Sequence, residues 1–339
     1  MLDLAVHGEG LKYMEKLYEC RTEHLKDYRG IGKEPADYDD YWNRAKADLK
    51  ECSLEYELVE SNLHYRNCEA YDLYFIGVGE AKIHCQFLKP KKIQGKIPAV
   101  VQFHGYWGNC GEWFSKLSFV EEGFCVIAMD VRGQGGESED NGVYKKGNTQ
   151  SGHIIRGLES DNADNLFYRS VYLDAAQCAL IIMNMDFVDE DNVFATGASQ
   201  GGAITVACAS LVPNLKSAAP IYPFLCDFRG IYQNNFNCPS YEEITWYFRQ
   251  RDPIHLKEDF FFERLGYIDL KNRTKDISCD ILWIMGLMDN ICPPFSQMAA
   301  YNGITSQKKL IHYPEYGHEG LSYSGDLILE HFLKLLEGN

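Results

Sequence analysis

The chain has 339 residues, is 45% hydrophobic and carries a formal charge of −16 at pH 7. A chain of this length and apolarity can bury a large core without disulfides, as one α/β unit with insertions. The acidic surplus argues against a nucleic-acid binder, whose phosphate contacts need a basic face. No stretch approaches the roughly 18 apolar residues of a membrane span, and residues 1–10 lack the basic and apolar regions of a signal peptide.

Residues up to about Leu25 read as a charged helical lead-in, within an N-terminal extension of residues 1–37. A second helical stretch follows at 38–46, opening the main domain of 38–339. Alternation at 71–76 and again at 81–87, joined by the turn-like Gly77-Val78-Gly79-Glu80, predicts an antiparallel start to a sheet. From 97 onward the pattern changes. Short buried strands at 97–103, 124–130, 192–196, 216–222, 280–286 and 309–313 alternate with helical segments such as 171–185. That alternation predicts a mostly parallel central sheet flanked by helices. The longest gap between strands, about 223–280, holds the aromatic helical runs 241–248 and 260–265; we read it as a helical insert covering the site. The twelve cysteines include no Cys-x-x-Cys pair, and Cys125, Cys178 and Cys208 sit inside apolar runs. They read as reduced core residues of a cytoplasmic protein.

The most informative segment is Gly197-Ala198-Ser199-Gln200-Gly201, placed between an apolar run and a stretch of small residues. A strand, a Gly-x-Ser-x-Gly turn and a helix form a nucleophile elbow, which lifts a serine hydroxyl above the sheet in a strained conformation. A serine needs a base to take its proton, and in this fold the order along the chain is Ser, then Asp or Glu, then His. Of the downstream histidines, His318 lies in the glycine-flanked loop after the last strand. His312 falls within that strand, His255 in the insert and His331 in the terminal helix. The carboxylate is expected from Asp289, at the carboxyl end of the preceding strand. Glu319 competes, but sequence neighbours usually point apart, and it is read as supporting the site. The backbone N–H groups of Gln200 and Tyr106 are the expected oxyanion donors. His104, at a strand end before glycine, reads as a structural hydrogen-bonding residue. Arg132, in the loop after 124–130, either ties loops together near the site or binds a substrate anion.

Three motifs together, Arg132-Gly133-Gln134, Gly197-Ala198-Ser199-Gln200-Gly201-Gly202 and His318-Glu319, resemble carbohydrate esterase family seven, the acetyl xylan esterases and cephalosporin C deacetylases. The segments Pro223-Phe224-Leu225-Cys226 and Met288-Asp289-Asn290-Ile291-Cys292-Pro293-Pro294 look similar too, and the resemblance spans roughly 38–336. It implies an α/β-hydrolase fold, a Ser199–Asp289–His318 triad and oxyanion donors at Tyr106 and Gln200. It further suggests an acyl pocket lined by Pro239, near Tyr241, while Arg132 and Gln134 are read as supporting the site. It also implies no metal, no cofactor, and a homo-oligomer, often a hexamer, acting on small acetylated molecules. Residues 137–155 and 159–165 depart from the family pattern. The expected activity is removal of acetyl groups from xylo-oligosaccharides, other acetylated sugars or cephalosporin C. The alternatives are a longer-chain carboxylesterase, thioesterase or peptidase of the same fold, or a non-catalytic binding protein on that scaffold. A dinucleotide site fails because Ser138 occupies the third glycine position after Gly133 and Gly135, and a zinc hydrolase fails for want of His-Glu-x-x-His.

Overall fold

The computed structural model describes residues 23–147, 149–234 and 238–338. The helical lead-in expected before Leu25 therefore lies, through residue 22, outside the described residues. Nine strands form one sheet: β1 (Glu57–Glu60), β2 (Cys68–Ile76), β3 (Lys82–Pro90), β4 (Ile97–Phe103), β5 (Cys125–Met129), β6 (Val188–Ala198), β7 (Ser217–Ile221), β8 (Asp280–Gly286) and β9 (Lys308–Tyr313). Their order across the sheet is β1-β2-β3-β5-β4-β6-β7-β8-β9. The β1–β2, β2–β3 and β3–β5 pairs are antiparallel, and from β5 through β4 to β9 every neighbour is parallel. This is the α/β-hydrolase arrangement, with β1 added at the antiparallel edge.

The period of two in each strand assigns its side chains to opposite faces. Val193 and Ala195 of β6, and Ile281, Trp283 and Met285 of β8, enter the larger core; Phe194, Leu282 and Ile284 enter the smaller one. The larger core lies beneath helices α1 (Tyr38–Glu51), α3 (Phe167–Met183) and α4 (Gln200–Leu211). The smaller is covered by α2 (Leu117–Glu121) and α10 (Ser324–Leu336), which contribute Phe119, Val120, Ile328 and Phe332. Every residue of α4 is buried. Its small side chains let it lie close against the strands, so the helix that follows Ser199 is fixed by the centre of the core.

Residues 223–280 contain α5 (Phe228–Gln233), α6 (Glu242–Arg251), α7 (Glu258–Gly266) and α8 (Leu270–Arg273). The first part borders the sheet's carboxyl edge: Cys238 Sγ donates to the carbonyl of Ile291 at 2.9 Å. The later part packs sideways. Trp42 Nε1 donates to Tyr267 O at 3.0 Å, and Tyr172 Oη to Ile268 O at 3.0 Å. The described end of the N-terminal extension joins the same region, where Tyr28 Oη donates to Asp227 at 2.6 Å. Among the described residues no helix is long and apolar enough to cross a membrane. Helix α9 (Pro294–Gly303) connects β8 to β9.

Candidate active site

Ser199 stands between β6 and α4 at φ 59°, ψ −117°, a conformation that side chains rarely adopt. Glycine is required around it by backbone contact. A Cβ at Gly197 would lie 2.6 Å from Phe103 O, one at Gly201 2.1 Å from the same oxygen, and one at Gly202 2.6 Å from Ile221 O. The turn is held from beside as well, because Ser199 N donates to Ile221 O at 2.9 Å and Phe224 N to Ser199 O at 3.0 Å.

Two further carboxyl-end loops reach this point. His318, in the loop after β9, places Nε2 3.0 Å from Ser199 Oγ and Nδ1 2.8 Å from Asp289 Oδ2. Asp289, in the loop after β8, has a fully buried side chain. Its other oxygen accepts from the backbone N–H groups of Ile291 and Cys292, both at 2.8 Å. A carboxylate fixed by two amides orients the imidazole, and the imidazole can then take the hydroxyl's proton.

Tyr106 lies in the loop after β4, and Gln200 is the first residue of α4. Among the described residues neither backbone N–H has a protein acceptor. The two are tied together by Gln134. Its Oε1 accepts from Trp107 N at 3.0 Å and from Gln200 Nε2 at 3.0 Å, while its Nε2 donates to Gln200 Oε1 at 2.8 Å. Tyr168 Oη adds a bond to Gln200 Oε1 at 3.1 Å. Tyr106 is anchored separately, its hydroxyl accepting from Gly152 N at 2.6 Å.

The other residues singled out from sequence are placed elsewhere. Arg132 is buried and engages Asp174 through two bonds of 2.7 Å and Val78 O at 2.9 Å, so its guanidinium joins the β5 loop to α3. Glu319 accepts from Gly317 N at 3.0 Å within its own loop. Pro239 opens a single 3-10 turn, Pro239–Tyr241, beside the loop that carries Asp289. His104 donates from Nδ1 to Gly105 O at 2.7 Å and accepts at Nε2 from Val131 N at 2.9 Å. Burial lowers its pKa, so this imidazole is neutral. His255 pairs with Glu258 and His331 with Asp280. A cavity of about 260 Å³, lined by Phe103, Cys110, Phe119, Met129, Gly197 and Ile328, opens beside the elbow without Ser199 or His318 in its wall. The hollow and the Ser199–His318–Asp289 cluster are thus separate features.

One group escaped the sequence reading. His84, on β3, lies between Asp130 (2.6 Å) and Asp72 (3.0 Å). Asp130 also accepts from Cys110 N at 2.6 Å and Glu137 N at 3.0 Å, so it joins the loop bearing Tyr106 to the loop bearing Gln134. Burial raises the Asp130 pKa, but bonds from His84 and Cys110 outweigh it and hold the carboxyl well below its ordinary range. Burial likewise disfavours the His84 cation, yet the two carboxylates prevail and raise its pKa. A raised histidine pKa stabilises the fold fully below the unfolded value of about 6.5, and that stability is lost as pH rises through the folded value. Asp130's contribution is present above the ordinary carboxylate pKa and is lost only in strong acid. His84→Ala should therefore cost roughly 3–5 kcal/mol near pH 6, the scale for breaking a buried ion pair. The gap to the parent should narrow as pH rises past the His84 pKa, which urea unfolding at several pH values would measure.

Comparison with known proteins gives the family. The family model described as acetyl xylan esterase (AXE1) matches residues 15–335. The chain belongs to the acetyl xylan esterase family. It is accordingly a carboxylic ester hydrolase. Among solved structures, it is similar to acetyl xylan esterase 1 from Thermoanaerobacterium sp. JW/SL YS485, with a TM-score of 0.89 and 48% identity over 92% of this chain and 98% of that one. The acetyl xylan esterase from Paenibacillus sp. R4 gives 0.86 and 31%, again over 92% and 98%. The acetyl esterase Axe7A of Xylanibacter ruminicola is 28% identical over 329 residues, which are 94% of this chain and 70% of that relative. In this member of the acetyl xylan esterase family, the expected nucleophile, base and carboxylate all meet within hydrogen-bonding distance.

Proposed function

We propose that this esterase removes acetyl groups from small acetylated saccharides, xylo-oligosaccharides foremost, through an acetyl-enzyme on Ser199. The observation that carries the reading is the unbroken chain from hydroxyl to imidazole to buried carboxylate, beside two N–H groups without acceptors among the described residues. Ser199 Oγ attacks the ester carbonyl while His318 Nε2 takes its proton. The oxyanion forms against the N–H groups of Tyr106 and Gln200, each donor being worth roughly 10²–10³ in turnover. His318 then gives the proton to the departing sugar oxygen, and water repeats the sequence to release acetate. Asp289 holds the imidazole in the tautomer that leaves Nε2 free to accept. Pro239 is assigned to the acyl pocket, and Arg132, Gln134 and Glu319 to support of the loops around it.

The named activities of the relatives support acetyl esters of xylan as the substrate class. Trp107, next to a proposed donor, supports a saccharide leaving group. Trp107 is 65% exposed and its ring stacks on Tyr106 with centroids 5.4 Å apart, which leaves an apolar face for a pyranose. We also propose a cytoplasmic, homo-oligomeric enzyme. The described cysteines are free, as a reducing compartment would keep them, and light scattering will report the oligomer.

The test is acetate release from acetylated xylo-oligosaccharides, other acetylated sugars and cephalosporin C, alongside nitrophenyl esters of increasing acyl length. Acetyl esters should be the best substrates, with losses of about 1–3 kcal/mol for each methylene that a small acyl pocket refuses. Preference for acyl groups of about six carbons or more would overturn the acetyl assignment.

A further inference from the structure

The proposed mechanism leaves one reactive group at the site unused: Cys292. The residue is fully buried, and its backbone N–H donates to Asp289. One ligand atom from each of Asp289, Cys292 and His318 lies within 4.8 Å of the other two. We propose that these residues form an inhibitory site for a soft divalent cation such as Zn²⁺, with Cys292 Sγ and His318 Nε2 as its protein ligands.

Three features of the geometry favour this. A metal-binding histidine usually directs its second ring nitrogen to a carboxylate that fixes its orientation. His318 does so through Nδ1 to Asp289, which is itself held by two amides. Thiolate with imidazole selects zinc-like ions over magnesium or calcium, which prefer oxygen. The imidazole is partly exposed, so the cation enters from the substrate's side and keeps water in its remaining positions. Coordination needs no oxidant: a metal–sulfur bond forms, and the thiol proton leaves to solvent. The ion then occupies the nitrogen lone pair that would accept the serine proton, and esterase turnover stops. Without metal, burial and the Asp289 charge keep the thiol neutral, so it does not compete with Ser199 as a nucleophile.

A second cluster, His84, Cys110 and Asp130, meets the same distance criterion. There both imidazole nitrogens face carboxylates, and Asp130 already accepts several bonds, so no donor is open to an ion.

The inference rests on the proposed roles of Ser199 and His318, but its test can be read without them. Co²⁺ is titrated into the parent, Ser199→Ala, Cys292→Ser and Cys110→Ser, and the thiolate-to-cobalt charge-transfer band is followed. Zn²⁺ inhibition of nitrophenyl acetate hydrolysis, and its reversal by a chelator, is measured in parallel. The band should appear in the parent, Ser199→Ala and Cys110→Ser proteins and be lost in Cys292→Ser. The Zn²⁺ concentration for half-inhibition should rise at least about tenfold in Cys292→Ser. If Cys292→Ser lacks activity, the band in Ser199→Ala against Ser199→Ala/Cys292→Ser decides instead. No band in the parent, a band that depends on Cys110, or equal Zn²⁺ sensitivity of Cys292→Ser and parent would overturn the proposal. An active Ser199→Ala that still shows the band would refute the esterase mechanism and leave the metal site standing.

Discussion

Turnover of an acetyl ester by Ser199→Ala should fall by about 10⁶, the scale seen when the nucleophile of such a triad is removed. The substitution deletes one oxygen from a position whose backbone is set by its surroundings. Ser199 holds φ 59° because the flanking glycines leave no other course and because Ile221 and Phe224 fix its main chain. Alanine inherits that strain and adds little of its own, so thermal unfolding should barely move while kcat collapses. The backbone donors at Tyr106 and Gln200 survive, and a residual rate of some 10³–10⁴ over water is expected from them and from binding. Steady-state acetate release, with fluorophosphonate labelling to count intact nucleophiles, gives the answer. Near-parental turnover in this variant would end the assignment of Ser199.

The second large effect concerns the carboxylate. Asp289→Asn should lower kcat by about 10⁴. Asp289 uses one oxygen for Ile291 N and Cys292 N and the other for His318 Nδ1. An asparagine would keep its carbonyl on the two amides and turn its NH₂ toward the imidazole. Nδ1 must then accept, which places the proton on Nε2, and the ring can no longer take one from Ser199. Glu319→Gln is the matched control. Its carboxylate serves Gly317 N in an exposed turn, so only a small loss is expected. A greater loss in Glu319→Gln than in Asp289→Asn would exchange the two roles.

The elbow was legible because its code is local. Glycines at 197, 201 and 202 are there for backbone contacts that any side chain would break, and those contacts recur wherever a strand turns so tightly into a helix. The inner parallel strands were legible as short apolar runs, since both of their faces are largely buried, whereas the edge strand β9 is mostly half-buried. Other parts were not. β6 begins at Val188 and passes through Asp189, Glu190 and Asp191, an acidic run that reads as loop when only the buried residues 193–196 are seen. β1 is exposed along its whole length and offers no alternation. The link between His84 and Asp130 depends on the antiparallel register of β3 against β5, which nothing near either residue announces. Cys292 comes beside His318 only through the course of the loop after Asp289. The aromatic runs of the insert announced helices, but not that α7 would lean on the α1 side of the molecule.

The Gln134–Gln200 amide pair carries a kinetic consequence. Two loops that are far apart in sequence are held in mutual register by side chains buried or half-buried between them, before any ester arrives. The dipoles that would receive a nascent negative charge thus stand aligned at the ground state, and no solvent need reorient around them during bond making. Rapid mixing with a small ester should accordingly show product appearing without a lag.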